Sequence, residues 1–367
     1  MVKSILLAMM ICVAAGRVCS QERREINIPD IPGYRTLKCD FHTHTVFSDA
    51  DVWPTTRIDE AWRDGLDVVA ITDAIEYRPH ARYIQADHNQ AYEIARPLAE
   101  QLGVVLIHGA EMSRDVTGNV TALFLANANL LMRTSLLDAC KEAQSQGALL
   151  FWNAGYGKER GAVMTGPEIS RLVTSGLIKA AEVFGGNTFY PAALKWAGKN
   201  RLSVMAGSNA HPPLNPSTDD RRRPFTLVFA TAKTPEAIKQ AIVEGRTAAC
   251  FNDTIVGDRF YLTAVFLNSI QLLEFGGPLE NQAYRLLKIR NNSDIPFLLH
   301  KRQPSIGFEN PDRIFLPPHR TVVIELQGTS NEIKSSARLI MFCEIANLIT
   351  LNGSNLQINL EIPNRRY

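Results

Sequence analysis

Short apolar runs alternate with amphipathic helical patterns from residue 37 to about residue 244. The apolar runs predict buried strands at 37–42, 67–72, 104–110, 120–126, 148–152, 180–184, 203–207 and 226–230. Helical periodicity lies between or after most of them, at 56–64, 89–101, 134–146, 167–175, 191–199 and 234–244. Buried strands that alternate with helices indicate a parallel sheet, and this many repeats favour a closed or nearly closed barrel. We therefore predict an α/β fold, a distorted (β/α)7-type barrel at 37–255 that follows a lead-in segment at 21–36.

The pattern changes after residue 255. Strand-like runs at 259–266, 283–290, 321–327, 337–343 and 356–362 show little helical periodicity and are separated by turn-forming sequences. The Asn-Gly pair at 352–353 is a strong hairpin signal. We predict a small all-β, sandwich-like domain at 256–367, and we expect it to contribute no metal ligand.

The first 20 residues have the layout of a secretory signal peptide. Lys3 precedes an apolar run at 5–15, and small residues at Val18 and Ser20 permit cleavage before Gln21. The run is shorter than the ~20 apolar residues that span a bilayer, so an uncleaved anchor is the weaker alternative. We therefore expect a periplasmic or extracellular protein without a membrane span after cleavage.

Length and composition agree with a globular protein of two domains. The chain has 367 residues, and a large barrel commonly takes ~200–250 of them. Its hydrophobic content is 46%, its charged content 21% and its net charge +2, so we expect no nucleic-acid partner. Of the six cysteines, Cys12 and Cys19 lie in the predicted signal peptide. The four that remain are far apart and indicate neither a zinc knuckle nor a disulfide framework.

Polar side chains with metal-binding chemistry follow the predicted strands. His42 and His44 are two residues apart, and side chains at that spacing on a strand point to the same side. Their imidazoles can therefore converge on one metal ion. Glu111, Asn153 and His211 follow later strands, whose carboxyl ends carry the active site in barrels of this kind.

Five ordered motifs resemble the polymerase and histidinol phosphatase family, called PHP, and its exported bacterial members with a trailing β-domain. They are DFHTHTVFSDA from Asp40, DVVAITDAIEYRPH from Asp67, HGAEMS from His108, ALLFWNAG from Ala148 and AGSNAHPP from Ala206. The resemblance covers residues ~35–255. It implies a barrel whose site holds up to three divalent ions that activate water to hydrolyse phosphate esters.

The resemblance also implies a ligand set, and this chain departs from it. The positions that match family ligands are His42, His44, Asp49, Glu111 and His211, with Glu111 as the bridging carboxylate. Non-ligating or weaker residues stand at four other positions, Ala74, Asn119, Ala154 and Asn209. Alanine has no lone pair to donate, and a neutral amide is a poorer ligand than a carboxylate. We expect at most one divalent ion (Zn, Mn or Fe), held by His42, His44, Glu111 and Asn209.

Two functions follow as alternatives. The first is a catalytically impaired phosphoesterase-like protein that retains binding of a small anionic or phosphorylated ligand. The second is an active one-metal hydrolase of phosphomonoesters or phosphodiesters, with His211 or Asp49 as the general acid or base. Arg78 and Arg223 are candidate substrate-binding residues because a guanidinium group can clamp a phosphate. A solvated charge run is the alternative for Arg223, since aspartates precede it at 219–220.

Overall fold

A computed structural model describes residues 22–113, 119–153, 166–214, 223–273 and 279–364. The predicted signal peptide and Ala154 lie outside these ranges. The helices are α1 (Pro54–Arg63), α2 (Gln90–Leu102), α3 (Leu136–Ser145), α4 (Pro167–Thr174), α5 (Pro191–Lys199), α6 (Pro235–Val243) and α7 (Arg259–Ser269). The strands of the first part are β1 (Arg35–Asp40), β2 (Val68–Ile71), β3 (Val105–Met112), β4 (Asn119–Leu123), β5 (Leu149–Asn153), β6 (Ile178–Gly185), β7 (Thr188–Phe189), β8 (Ser203–Gly207), β9 (Phe225–Ala230), β10 (Thr247–Phe251) and β11 (Thr254–Gly257). Those of the second part are β12 (Ile270–Leu273), β13 (Tyr284–Asn291), β14 (Phe297–Lys301), β15 (Phe308–Glu309), β16 (Arg313–Leu316), β17 (Thr321–Gly328), β18 (Arg338–Thr350) and β19 (Asn355–Pro363).

The barrel strands run in the order β9, β1, β2, β3, β4, β5, β6 and β8. The predicted α/β barrel is thus confirmed, but the sheet is mixed: β4 is antiparallel to β3 and β5, and β9 is antiparallel to β1. The expectation of a parallel sheet was wrong at β4 and at β9. Only six residues separate Met112 from Asn119, whereas a parallel neighbour needs a crossover of about a dozen or more.

A side chain completes the ring of strands. The hydroxyl of Thr226 on β9 accepts a hydrogen bond from the backbone N–H of Ala206 on β8 and donates one to its carbonyl, both at 2.9 Å. Strands β8 and β9 are therefore joined by a buried hydroxyl rather than by a ladder. The barrel interior is filled by apolar side chains from successive strands, including Phe41, Ile107 and Phe151.

The second part continues the barrel sheet and adds a second sheet. Strand β18 pairs in parallel with β11 and antiparallel with β14 and β19. Strands β12, β13, β17 and β15 form a separate four-stranded sheet. The predicted C-terminal β-domain is confirmed as β-rich, although it includes helix α7 and is therefore not all-β. Its hairpin between β18 and β19 is also confirmed, and Gly353 has φ +85° there. Among the described residues, no helix is long and apolar enough to cross a membrane.

The strand predicted at 259–266 was wrong, because this segment is helix α7. Asp258 caps its first turn by accepting a hydrogen bond from the Phe260 N–H at 2.8 Å. The buried side chains at Leu262, Val265 and Phe266 follow helical spacing. Aromatic and β-branched residues favour a strand locally, so the cap and the packing decide the outcome.

Candidate metal centre

His42 and His44 follow β1, and Glu111 lies at the end of β3. Ligand atoms of these three side chains lie within 4.8 Å of one another. All three are buried, with exposed fractions of 1%, 1% and 2%. The structure therefore brings together three of the residues proposed from the sequence as ligands. Imidazole and carboxylate groups placed this close together are a donor set that one divalent ion could share.

His42 lies between two carboxylates. Its Nδ1 is 2.8 Å from Oε2 of Glu182, and its Nε2 is 2.9 Å from Oε2 of Glu111. Although burial disfavours the charged ring, Glu182 and Glu111 raise the pKa of His42 well above its ordinary value. Glu182 was not among the residues predicted from the sequence. An available signal was an acidic residue in the middle of the apolar run at 180–184.

His44 has the orphaned nitrogen that a metal ligand requires. The Ser48 hydroxyl donates its proton to Asp73 at 2.6 Å. Ser48 Oγ can therefore only accept in its 3.3 Å contact with His44 Nδ1, so Nδ1 carries the proton. Nε2 is then a buried lone pair, with no hydrogen-bond partner among the described residues. Burial lowers the pKa of His44 to about 3, so the ring is neutral at physiological pH. The donor set therefore fits a divalent ion.

Amide and hydroxyl donors surround both oxygens of Glu111. Asn119 Nδ2 donates to Oε1 at 2.6 Å, and Asn153 Nδ2 donates to Oε2 at 2.6 Å. Ser113 adds a hydroxyl donor to Oε1 at 3.1 Å. Burial opposes the charge, but the hydrogen bond from His42 lowers the pKa of Glu111 to about 2. Ala74 forms a β-bridge with Glu111 and brings only a methyl group to this position.

A second group joins His44 to Asp49 and His211. Ligand atoms of the three lie within 4.8 Å of one another, and the rings of His44 and His211 stack at 4.4 Å. His211 Nε2 is 3.3 Å from Asp49 Oδ1, and this contact raises the pKa of His211. Asp49 and His211 are each 27% exposed on their side chains. They form a partly exposed pair beside the buried candidate ligands.

Asn209 takes a left-handed backbone conformation next to this pair. Its φ is +47°, which asparagine tolerates better than most residues. Its carbonyl accepts a hydrogen bond from His211 Nδ1 at 2.9 Å. Its own Oδ1 is buried without a hydrogen-bond partner among the described residues. Asn209 therefore keeps an available oxygen, and its contact with an ion stays a prediction.

Arg57 and Asp73 hold the loops that carry the ligands. The guanidinium of Arg57 is fully buried and donates to the carbonyls of His44 at 2.7 Å and of Ala210 and His211 at 2.8 Å each. Asp73, at the end of β2, accepts hydrogen bonds of 2.6 Å from the N–H and the hydroxyl of Thr45. Neither role was predicted, because these partners are distant in sequence.

Both arginines proposed to bind substrate are hydrogen-bonded to other groups of the protein. Arg78 donates from Nε to the Phe47 carbonyl at 3.1 Å and from Nη2 to the Ala86 carbonyl at 2.7 Å. Arg223 is 5% exposed on its side chain and contacts Asp64 at 2.7 Å and Asp40 at 3.2 Å. Asp40 in turn accepts from the backbone N–H of His42 at 3.2 Å. These contacts give both arginines structural roles, and their contact with substrate stays a prediction.

Comparison with known proteins found similar solved structures and one matching family model. Along 94% of its length the chain is similar to a two-domain protein from Bacteroides vulgatus that contains a predicted PHP-like metal-dependent phosphoesterase. The identity is 33%, all of that chain is covered, and the TM-score is 0.86. An amidohydrolase from Chromobacterium violaceum, solved with sulfate and without metal, is 16% identical over 48% of this chain and 88% of its own, with a TM-score of 0.38. A family model of an Ig-like domain matches residues 278–361. No curated protein matches the sequence.

Proposed function

This chain belongs to the family of two-domain proteins with a PHP-like metal-dependent phosphoesterase domain, and from that premise we propose that it is a catalytically impaired, one-ion member. The divalent ion (Zn, Mn or Fe) is held by His42, His44 and Glu111, with Asn209 as a further oxygen donor. The ligand is a small phosphorylated or otherwise anionic molecule. When bound, the ion would polarise a phosphoryl oxygen and lower the pKa of its water from ~15.7 toward ~7.

The observation that carries this proposal is the set of donors around Glu111. A carboxylate that bridges two ions gives a lone pair from each oxygen to a cation. Here the N–H groups of Asn119 and Asn153 point at Oε1 and Oε2 at 2.6 Å each. These hydrogen bonds neutralise part of the charge that a second ion would otherwise neutralise. Ala74, beside Glu111, supplies no ligand to attract that ion.

The charge around the ligands makes anion binding dependent on the ion. The carboxylates of Asp40, Glu111 and Glu182 are all buried close to His42. The nearby guanidinium groups of Arg57 and Arg223 are already paired with protein groups. A phosphate would therefore meet net negative charge unless a divalent ion is bound first. We expect phosphate to bind the zinc-loaded protein and not the metal-free one.

An active one-metal hydrolase is the second candidate, and the pair of His211 and Asp49 favours it. The contact of 3.3 Å and the partial exposure of both side chains suit proton transfer to or from a substrate. With a single ion the pair would have to supply the acid–base chemistry, while less charge neutralisation would reach the phosphoryl group. We therefore expect slow turnover.

Metal content and turnover test the proposal when they are measured for the wild type and for a variant in which the replaced ligand residues are restored. Protein grown with Zn²⁺ or Mn²⁺ should hold at most one ion per chain by elemental analysis, with hydrolysis of p-nitrophenyl phosphate and bis-p-nitrophenyl phosphate near background. The variant Ala74→His, Ala154→His, Asn209→Asp should gain both metal and rate. Adding Glu111→Gln to it should remove both gains. Two or three ions in the wild type, or turnover of ~1 per second or more, would overturn the proposal.

We also propose that the protein is exported, which rests on the signal-peptide pattern of residues 1–20. Expression of the full gene in a Gram-negative host should place a protein that begins at Gln21 in the periplasm or the medium. Intact mass measurement of each fraction checks this. A cytoplasmic protein that retains Met1 would contradict it.

A further inference from the structure

We propose that Glu182 is a positioning residue that holds His42 with its proton on Nδ1 and its Nε2 lone pair directed at the ion. The inference rests on the proposed metal site. Glu182 Oε2 is 2.8 Å from His42 Nδ1, and both side chains are buried. A carboxylate only accepts hydrogen bonds, so Nδ1 must be the donor. Nε2 faces Glu111 at 2.9 Å on the other side of the ring, so it is Nε2 that would release its proton and offer its lone pair when an ion binds.

The cost of placing Glu182 in its strand indicates a role beyond packing. Its neighbours on β6 are buried and apolar, among them Ala181 and Val183, and Glu182 itself is 2% exposed. A carboxylate removed from water is strongly destabilising unless it is paired. An apolar side chain would fill this position without that cost. The hydrogen bond to His42 is what the carboxylate supplies and an apolar residue cannot.

Two glycines leave the space that this pair occupies. A Cβ at Gly185 would lie 2.5 Å from Glu182 Oε1, and a Cβ at Gly207 would lie 2.6 Å from Glu182 Oε2 and 2.6 Å from His42 Cβ. Neither glycine has a positive φ. Their backbones therefore do not need glycine for conformational reasons, and the small side chain serves to admit the carboxylate and the imidazole.

The expected contribution is to metal affinity. A carboxylate behind a ligating histidine fixes the tautomer and the ring orientation and makes the nitrogen more basic. Removal of such a partner typically costs 10–100-fold in metal affinity. The side chain of Glu182 need not touch substrate for this effect, because it acts through His42.

Zinc affinity, measured by competition with a chromophoric chelator, tests the inference. Glu182→Leu should weaken zinc binding by about 10–100-fold. Glu182→Gln should recover part of that loss, because the amide oxygen still accepts from Nδ1–H. Gly207→Ala, which presses on both members of the pair, should weaken binding as well. Asn291→Leu is the matched control, since Asn291 is a buried polar residue in the β-rich domain. This variant should lose stability but keep its zinc affinity.

The ¹⁵N and ¹H signals of His42 separate failure of this inference from failure of the proposed function. In the wild type, with or without zinc, a slowly exchanging Nδ1–H signal is expected, and it should be lost in Glu182→Leu. If that signal persists in Glu182→Leu, or if this variant binds zinc as the wild type does, Glu182 is not a positioning residue. If wild-type protein binds no zinc, the proposed function fails, while the Nδ1–H signal still decides the role of Glu182. Should Glu182→Leu not fold, Gly207→Ala provides the same two measurements, and both the Nδ1–H signal and the zinc affinity should be weakened in it.

Discussion

Replacing Arg57 by leucine should disrupt both ligand-bearing loops at once. The Arg57 guanidinium is fully buried in helix α1, and its partners lie on the His44 loop and on residues 210–212. It also pairs with Glu60 through Nη1 at 2.7 Å. The substitution removes every one of these donors, so His44 and His211 lose the group that holds their backbones together.

The structure sets the size of the effect. Glu60 is 1% exposed, and after the substitution its Oε2 loses the Arg57 partner, while its Oε1 still accepts from the Leu214 N–H at 2.8 Å. Breaking a buried ion pair by removing one partner costs about 3–5 kcal/mol of unfolding free energy. Arg57→Leu with Glu60→Leu removes the uncompensated charge, so part of the stability should return. Zinc affinity should not return, because the loop carbonyls still lack their donor.

Urea denaturation followed by tryptophan fluorescence measures the stability, and chelator competition measures zinc affinity. Arg63→Leu is the matched control on the same helix, because the pair of Arg63 with Asp59 is partly exposed and should contribute only about 0–1 kcal/mol. The reasoning is refuted if Arg57→Leu costs no more than this control. It is also refuted if the variant with both leucines binds zinc as tightly as the wild type.

Three further predictions concern pH, the arginines and the chain length. Because carboxylate neighbours raise the pKa of His42, zinc must displace a proton from this ring when it binds. Zinc affinity measured from pH 6 to 8 should therefore rise by up to about tenfold per pH unit. A zinc affinity that does not change with pH would contradict this. In the metal-free protein, the stability gained from this raised pKa is complete below pH 6.5 and is lost as pH rises through the folded-state value, which urea melts at several pH values would detect. Arg223→Leu leaves Asp40 buried without this partner and should lower the free energy of unfolding by about 3–5 kcal/mol in urea denaturation. Arg78→Leu removes hydrogen bonds to carbonyls and should lower it by about 1–3 kcal/mol. Unchanged stability with lost phosphate binding would instead support a role in substrate binding. A chain that ends at Asp258 should be insoluble, because β11 loses its partner β18 and becomes an exposed sheet edge. A soluble fragment that binds zinc would show that the barrel folds alone.

Local sequence patterns were enough to predict the barrel and most of its elements. Most strands from β1 to β9 contain or overlap a short apolar run, and helices α1 to α6 show amphipathic periodicity. Burial on one face or both leaves this regular signature in the sequence. The spacing of His42 and His44 likewise predicted convergent imidazoles, and the motif at Glu111 predicted the third member of the group that the structure brings together. These inferences depend on neighbours close in sequence or on the order of strand ends.

Tertiary structure alone decided which groups pair with one another. Glu182 reaches His42 across 140 residues, and Arg223 reaches Asp40 across 183. A periodicity reports that a side chain is buried, but it carries no information on the partner that compensates a buried charge. The direction of β4, the capped helix α7 and the engagement of Arg78 and Arg223 depend in the same way on contacts, lengths and caps. The residues proposed as ligands could therefore be predicted along the chain, whereas the contacts that support them were set by how distant segments meet.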